Sequence, residues 1–489
     1  MGGGDDLQSA IPNPQFRVAV IGGGITGLAA AHRLIELSAD RQRPLELTLF
    51  ETGPRVGGVI GTQRRDGYLI ETGADSFITN QPWAVDLCQR LDLENELIPT
   101  DETLRRSLVL RNGKPVPAPD GFMLLSPAKL WPVLTSPIFS LWGKLRMGCE
   151  YVVPRRSETG DVSLASFVRR RFGREALERL VQPLVGGIYT SDPEKLSLRA
   201  TMPRFLDMER EHRSLIRASR KQAAETDPLE TSGSGARYGL FTTLENGLQQ
   251  LIDALRERIE DAATIRLNTP VTGITRGNEW CLDFADGSGA EFDAVIVTTR
   301  AYQAGDLLRS LDGTLAAQLR GIEYASSAIA ITGHRLSDVR DSLDAFGLVI
   351  PAIERRKIIA VSFTSRKFPG RAPGGRVLLR TFAGGAMQPE LMQLVDAELI
   401  DVVRRELRDI LGVDGEPDFL ELHRYENAMP QYHVGHLERV DEIERLVSSH
   451  RGLEIAGNAF RGVGIPDCVH SGEQAAERLV DADQAGSRR

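Results

Sequence analysis

The chain predicts an α/β protein with a Rossmann-type dinucleotide-binding domain built from discontinuous segments, a mixed-sheet domain and a helical insertion. Three observations predict it. Val18-Ala19-Val20-Ile21 runs into the glycine turn Gly22-Gly23-Gly24-Ile25-Thr26-Gly27 and then into an apolar, helix-forming stretch. A second apolar run, Leu45 to Phe50, ends at the acidic residue Glu51. Some 400 residues later, Leu453-Glu454-Ile455-Ala456-Gly457-Asn458 leads into another glycine turn and helix.

Each part of the first turn has a task. Gly22 permits the tight turn, Gly24 lets the backbone approach a pyrophosphate, and Gly27 lets the helix pack closely on the strand. The helix beginning at Ile25 and Thr26 presents free N–H groups and a positive dipole end to phosphates. Glu51, with Thr52 beside it, stands where a carboxylate binds ribose hydroxyls. Arg55-Val56-Gly57-Gly58 follows at once, and Gly73-Ala74-Asp75-Ser76 comes shortly after. The paired glycines allow a second backbone segment to close over the pyrophosphate, and Arg55 adds charge.

Length and composition bound the rest. A chain of 489 residues allows about three domains. Four cysteines, Cys88, Cys149, Cys281 and Cys468, lie far apart, which argues for a reducing compartment and against a disulfide framework or a metal site. His433 and His436 lack a third ligand nearby in sequence and read as a loop or packing pair. No signal peptide or membrane-spanning run is apparent, so a cytoplasmic location is expected. The net charge is −8, yet Arg105 to Arg174 holds thirteen basic and four acidic residues, a net of +9. Within it, Leu130 to Trp142 carries two tryptophans between basic flanks, a pattern suited to the inner face of the cell membrane. A solvated basic face is the alternative. Nucleic-acid binding is not expected, because no recognition motif accompanies the charge.

Residues 1–14 read as a disordered lead. The dinucleotide domain is expected from 15–100, 239–301 and 414–483, with Phe292 to Thr299 as a buried strand returning to its sheet. A helical, basic region spans 102–220, where Leu164, Phe167, Val168 and Phe172 share one helix face. A mobile linker covers 221–238. Strands at Ala328–Thr332, Phe346–Ile350, Ile358–Phe363 and Val377–Phe382 make 302–413 a sheet domain walling a substrate cavity. Val271 and Thr298 complete the expected cofactor site.

The Arg55 to Gly58 and Gly67 to Ser76 segments resemble the amine-oxidase and protoporphyrinogen-oxidase group of FAD enzymes. Leu184 to Pro193, Leu196-Ser197, Phe368 to Pro373, Gln431 to Leu437 and Gly462 to Cys468 narrow the resemblance to the protoporphyrinogen oxidases, including bacterial relatives that oxidise coproporphyrinogen III. The resemblance covers nearly all of the chain after Phe16. It implies FAD, with Gly457, Val463, Gly464 and Ile465 at the flavin end, where a helix N-terminus would stabilise the reduced ring. It implies a six-electron porphyrinogen oxidation in heme biosynthesis, with dioxygen as acceptor and hydrogen peroxide as product. It places Gly187, Val349 and Phe382 around the macrocycle, with Ser362 where plant relatives have an aliphatic residue. Arg106 is the chosen propionate ligand and Arg105 its rival. No catalytic base stands out. A flavin amine oxidase or carotenoid desaturase is the other enzymatic reading, and a non-catalytic escort protein of the same fold a third. Oligomeric state is left open, a homodimer included.

Overall fold

The structure, a computed structural model, describes residues 15–225 and 241–487 apart from 124, 128, 158 and 159. The predicted lead and most of the predicted linker lie outside the described residues. Residues 221–225 instead close the helix Leu215–Glu225.

A five-stranded parallel sheet carries the dinucleotide domain, in the order Thr264–Arg266, Leu45–Phe50, Phe16–Ile21, Ala294–Val297, Leu453–Ile455. Its central strands are the most apolar, Ala294–Val297 without a break, because both faces of the sheet are covered. On one face the helix Ile25–Asp40 packs against Gln249–Glu260 and Ile465–Ser487. The other face is covered by Ala301, Ala304, Leu315 and Leu319 of two short helices and by Val440 and Ile443 of the helix His436–Ser448. The segment 302–322, expected in the sheet domain, packs instead with the dinucleotide domain.

The second sheet has seven strands, in the order Phe419–Pro430, Tyr324–Arg335, Arg376–Gly384, Ala360–Phe363, Gly347–Val349, Ser107–Arg111, Lys114–Pro117. Its strands come from three of the expected domains. Ser107–Pro117 belonged to the helical region and Phe419–Pro430 to the dinucleotide domain, but their ladders close this sheet. Edge pairing is a non-local choice that the run of residues does not disclose.

The helical region follows the expected apolar spacing. Leu164, Phe167, Val168 and Phe172 are all buried, the first three on the helix Leu164–Arg171 and Phe172 as its C-cap. Ser163 caps that helix, accepting from the Ser166 N–H at 3.2 Å. The charge is internal here too. Arg171 is fully buried and pairs with Glu150 and Glu209.

Candidate functional site

A cleft of about 1030 Å3 runs along the carboxyl ends of the parallel strands. This is where open α/β sheets bind their ligands. It is lined by Gly22, Gly24, Glu51, Thr52, Arg55 and Gly58, and also by Val271 and Thr298. Gly22 has φ +109°, and Thr298 Oγ donates to the carbonyls of Ile21 and Gly22. At Gly27 a Cβ would stand 1.9 Å from the Gly22 carbonyl oxygen, so only glycine lets helix and turn meet. Gly24 is the opposite case. A Cβ there would meet no protein atom within 4 Å, and its backbone is ordinary extended chain. What Gly24 leaves free is the space of the cleft.

The two glycine segments face each other. Gly57 N–H donates to the Gly23 carbonyl at 2.7 Å, and Gly24 and Gly57 form a short parallel bridge. Arg55 holds the second segment by donating to the carbonyls of Val56, Gly58 and Ile60. Glu51 accepts from Gly23 N–H at 2.8 Å and from Gly53 N–H at 2.7 Å, which sets its carboxylate at the cleft wall. Leu422, His423, Arg424 and Tyr425 of the seven-stranded sheet also line the cleft. Nothing in their local sequence marks them. These features fit a dinucleotide: two facing glycine turns, a wall carboxylate and open space above Gly24.

At the other end, Gly457 has φ +141° and donates to Ser471 Oγ at 3.0 Å. Gly464 N–H donates to Asp467 Oδ2 at 3.2 Å, so one donor of the expected flavin cradle is taken by a side chain of the same turn. Burial pushes the Asp467 carboxyl above its ordinary value. Val463 packs on the helical core and Ile465 on the dinucleotide core, so the turn bridges both. Tyr432 pins this turn. Its hydroxyl donates to the Asn458 carbonyl at 2.5 Å and accepts from Gly462 N–H at 3.0 Å. His436 stacks on the Tyr432 ring at 4.0 Å, and its Nε2 lies 2.8 Å from the Phe460 carbonyl.

Burial holds the imidazoles of His436 and His334 down at about 4. Both therefore stay neutral in the fold while the unfolded chain protonates near 6.5. The unfolded state binds more protons between those values, so stability falls as pH drops from about 6.5 to 4, by roughly 3 kcal/mol for each histidine. Urea titrations across that range are expected to show this acid limb, and His334→Gln to flatten it.

Residues 73–76 lie between the two sheets. Gly73 is so close to the Val59 carbonyl that a Cβ would overlap it. Ala74 packs against the dinucleotide core. The Asp75 carboxylate, expected at the cofactor, is taken up by Lys367 Nζ at 3.1 Å and Arg380 at 3.1 Å. Although burial opposes ionisation, these two cations hold it well below the usual carboxylate range. Ser76 Oγ accepts from Lys367 Nζ at 2.8 Å. Asp75 and Ser76 thus anchor this segment to Lys367 and Arg380. Arg380, a lone arginine in the apolar run Val377 to Phe382, was the available signal for this cluster.

Strand register brings the expected substrate residues together. Val109, Val349, Ala360, Phe382 and Ile329 form one cross-strand row, with Ser107, Gly347, Ser362 and Arg380 in the next row on the same face. Val349, Ser362 and Phe382 consequently share one face. Opposite them stands the helix Gln182–Tyr189, where a Cβ at Gly187 would lie 3.9 Å from Val349 Cγ1. Arg106 is exposed at the start of Ser107–Arg111, and Arg105 is paired with Glu102 at 3.3 Å.

Residues 25–480 match the family model described as flavin containing amine oxidoreductase. The chain is 36% identical to the coproporphyrinogen III oxidase of Bacillus subtilis (strain 168) over 94% of this chain and 96% of that one. It is 30% identical to protoporphyrinogen oxidase 1, chloroplastic, of Arabidopsis thaliana, over 96% of this chain and 88% of that one. A crystal structure of a candidate protoporphyrinogen oxidase from Exiguobacterium sp. 255-15 superposes with a TM-score of 0.83 at 29% identity, covering 95% of this chain and 99% of that one. Cyclohexylamine oxidase from Brevibacterium oxydans IH-35A, at 16% identity and a TM-score of 0.66 over 97% of this chain and all of that one, shares the fold.

Proposed function

Since the chain belongs to the flavin containing amine oxidoreductase family, we propose that it is an FAD-dependent porphyrinogen oxidase whose substrate is coproporphyrinogen III ahead of protoporphyrinogen IX. The observation that carries this reading is the row Val349, Ala360 and Phe382 on one face of the seven-stranded sheet, with Gly187 against Val349. The relatives named coproporphyrinogen III oxidase support the choice of substrate. FAD, when bound, accepts hydride two electrons at a time. Aromatising the macrocycle removes six electrons and six hydrogens, so three molecules of dioxygen are reduced to three of hydrogen peroxide. The chain's own work is to hold the macrocycle flat against this apolar strand face, exclude water and offer a cation to a carboxylate arm. Incubation with each porphyrinogen is expected to yield a fluorescent porphyrin and three equivalents of peroxide. Peroxide from an amine, with no porphyrin from either substrate, would overturn the reading in favour of an amine oxidase.

We also propose a peripheral site on an anionic membrane surface. Trp131 is 74% exposed, Trp142 81%, and Leu134, Leu141 and Leu145 are exposed beside them, near Lys129 and Lys144. Much of the basic excess is offset locally, since Arg169, Arg170 and Arg174 pair with Glu194, Glu209 and Glu178. The apolar side chains, more than the charge, then support the reading. No helix of the described residues is long and apolar enough to cross a membrane. Vesicles containing anionic lipid are expected to sediment the protein and blue-shift its tryptophan emission, and W131S/W142S to weaken both about tenfold or more. Equal sedimentation by the double variant would refute this.

A further inference from the structure

A second pocket opens at the end of the strands that carry Val349 and Ala360. It holds about 260 Å3 and lies between the helix Gln182–Tyr189, the loop from Ile350 to Ile359 and the segment after Gly384. There Ile350 follows Val349 and Ile359 precedes Ala360, and Gly186 lines the pocket from the facing helix.

Its chemistry is that of an anion seat. Arg355 and Lys357 are exposed at its edge, and among the described residues neither side chain has an ion pair or hydrogen bond. Arg356 between them is different, being engaged by Glu406 at 3.4 Å and Asp409 at 3.3 Å. Deeper in the wall, Thr190 Oγ is buried without a hydrogen-bond partner. A hydroxyl so placed can donate to a carboxylate. Glu390 is the one acidic residue of the lining, which leaves two unengaged cations against one anion.

Position gives the pocket its meaning. At one end of the strand Gly347–Val349, Phe346 N–H donates to the Arg106 carbonyl at 3.0 Å. At the other end Ile350 opens the pocket. Phe346 and Ile350 are four residues apart along extended chain, about 13 Å. That separation matches carboxylate arms on opposite edges of one tetrapyrrole.

We propose that Arg355, Lys357 and Thr190 bind carboxylate arms on the macrocycle edge opposite Arg106, and so select coproporphyrinogen III over protoporphyrinogen IX. The inference rests on the porphyrinogen-oxidase reading above. Coproporphyrinogen III carries propionates at two positions where protoporphyrinogen IX carries vinyl groups. Only the former presents charge at both edges. A vinyl group cannot pair with a guanidinium or accept from a hydroxyl, so the polar groups it covers lose water without compensation.

The test is R355A/K357A, assayed on both substrates and checked for flavin content. The ratio of kcat/KM for coproporphyrinogen III to that for protoporphyrinogen IX is expected to fall about tenfold, mainly through KM, as for an interaction equal in ground and transition states. R355K/K357R should recover most of the ratio. Fluorescence titration with coproporphyrin III and protoporphyrin IX should show the same loss at equilibrium, without turnover. An unchanged ratio, or an equal fall on both substrates, would overturn the proposal while leaving the oxidase reading intact. Wild-type protein that retains flavin but neither oxidises nor binds any tetrapyrrole would overturn both.

Discussion

Gly24→Val is expected to give a folded protein that purifies without its yellow cofactor, whereas Gly27→Val is expected not to fold normally. The two glycines are three residues apart in one motif, but their surroundings differ. At Gly24 the backbone is extended and the added side chain enters empty cleft, so folding is little affected. That side chain occupies the path of the pyrophosphate and blocks the approach of helix N–H groups to it. FAD binding should weaken on the order of 100-fold or more, about 2.7 kcal/mol. At Gly27 the added Cβ meets the Gly22 carbonyl at 1.9 Å and Thr298 Oγ at 2.8 Å. Strand, turn and helix must separate, and overpacking of this kind costs about 3 kcal/mol or more. Calorimetry and flavin absorbance on both variants check the pair. A Gly24→Val protein that keeps full flavin occupancy would refute the placement of the pyrophosphate.

Asp75→Asn is expected to destabilise the protein by about 3–5 kcal/mol, the usual cost of leaving buried charge unpaired. Lys367 and Arg380 are both buried, and the Asp75 carboxylate lies between them. Without its charge, two cations face each other under the sheet, and the Arg380 bond to the Gly73 carbonyl has to resist their repulsion. The 73–76 segment should loosen from the seven-stranded sheet, weakening FAD binding along with stability. Adding Lys367→Met to Asp75→Asn removes one of the cations and should recover part of the loss. Denaturant titration of the four proteins of this cycle measures the coupling. An additive double variant would show that the three groups do not act as one cluster.

These residues also show how far local sequence reaches. The glycine turn, Glu51 and the returning strand Ala294–Val297 were legible because strand, turn and helix follow one another within a few residues, and the helix N-terminus needs a fixed pattern. The helix Leu164–Arg171 was legible from its apolar spacing. The hairpin Trp280–Phe284 with Gly289–Phe292 was not anticipated, nor was the membership of Ser107–Pro117 and Phe419–Pro430 in the large sheet. Their local patterns suit any half-covered strand, and only the partner chosen across hundreds of residues decides the sheet. Asp75 illustrates the same limit at a single side chain. Its motif marked it for the cofactor, but both its charged partners come from about 300 residues away.

By itself, then, the sequence pointed to the turn at Gly22 to Gly27 as the seat of a dinucleotide, because the constraint there is local backbone geometry. Through its resemblances it also determined which kind of chemistry to expect. The tertiary structure decided which side chains face one another. Register set Val349, Ser362 and Phe382 on one face, with Gly187 against Val349, and the loop between two of those strands carries Arg355 and Lys357. Those placements depend on pairings between distant strands, whose energy is spread over many contacts and belongs to no single stretch of chain.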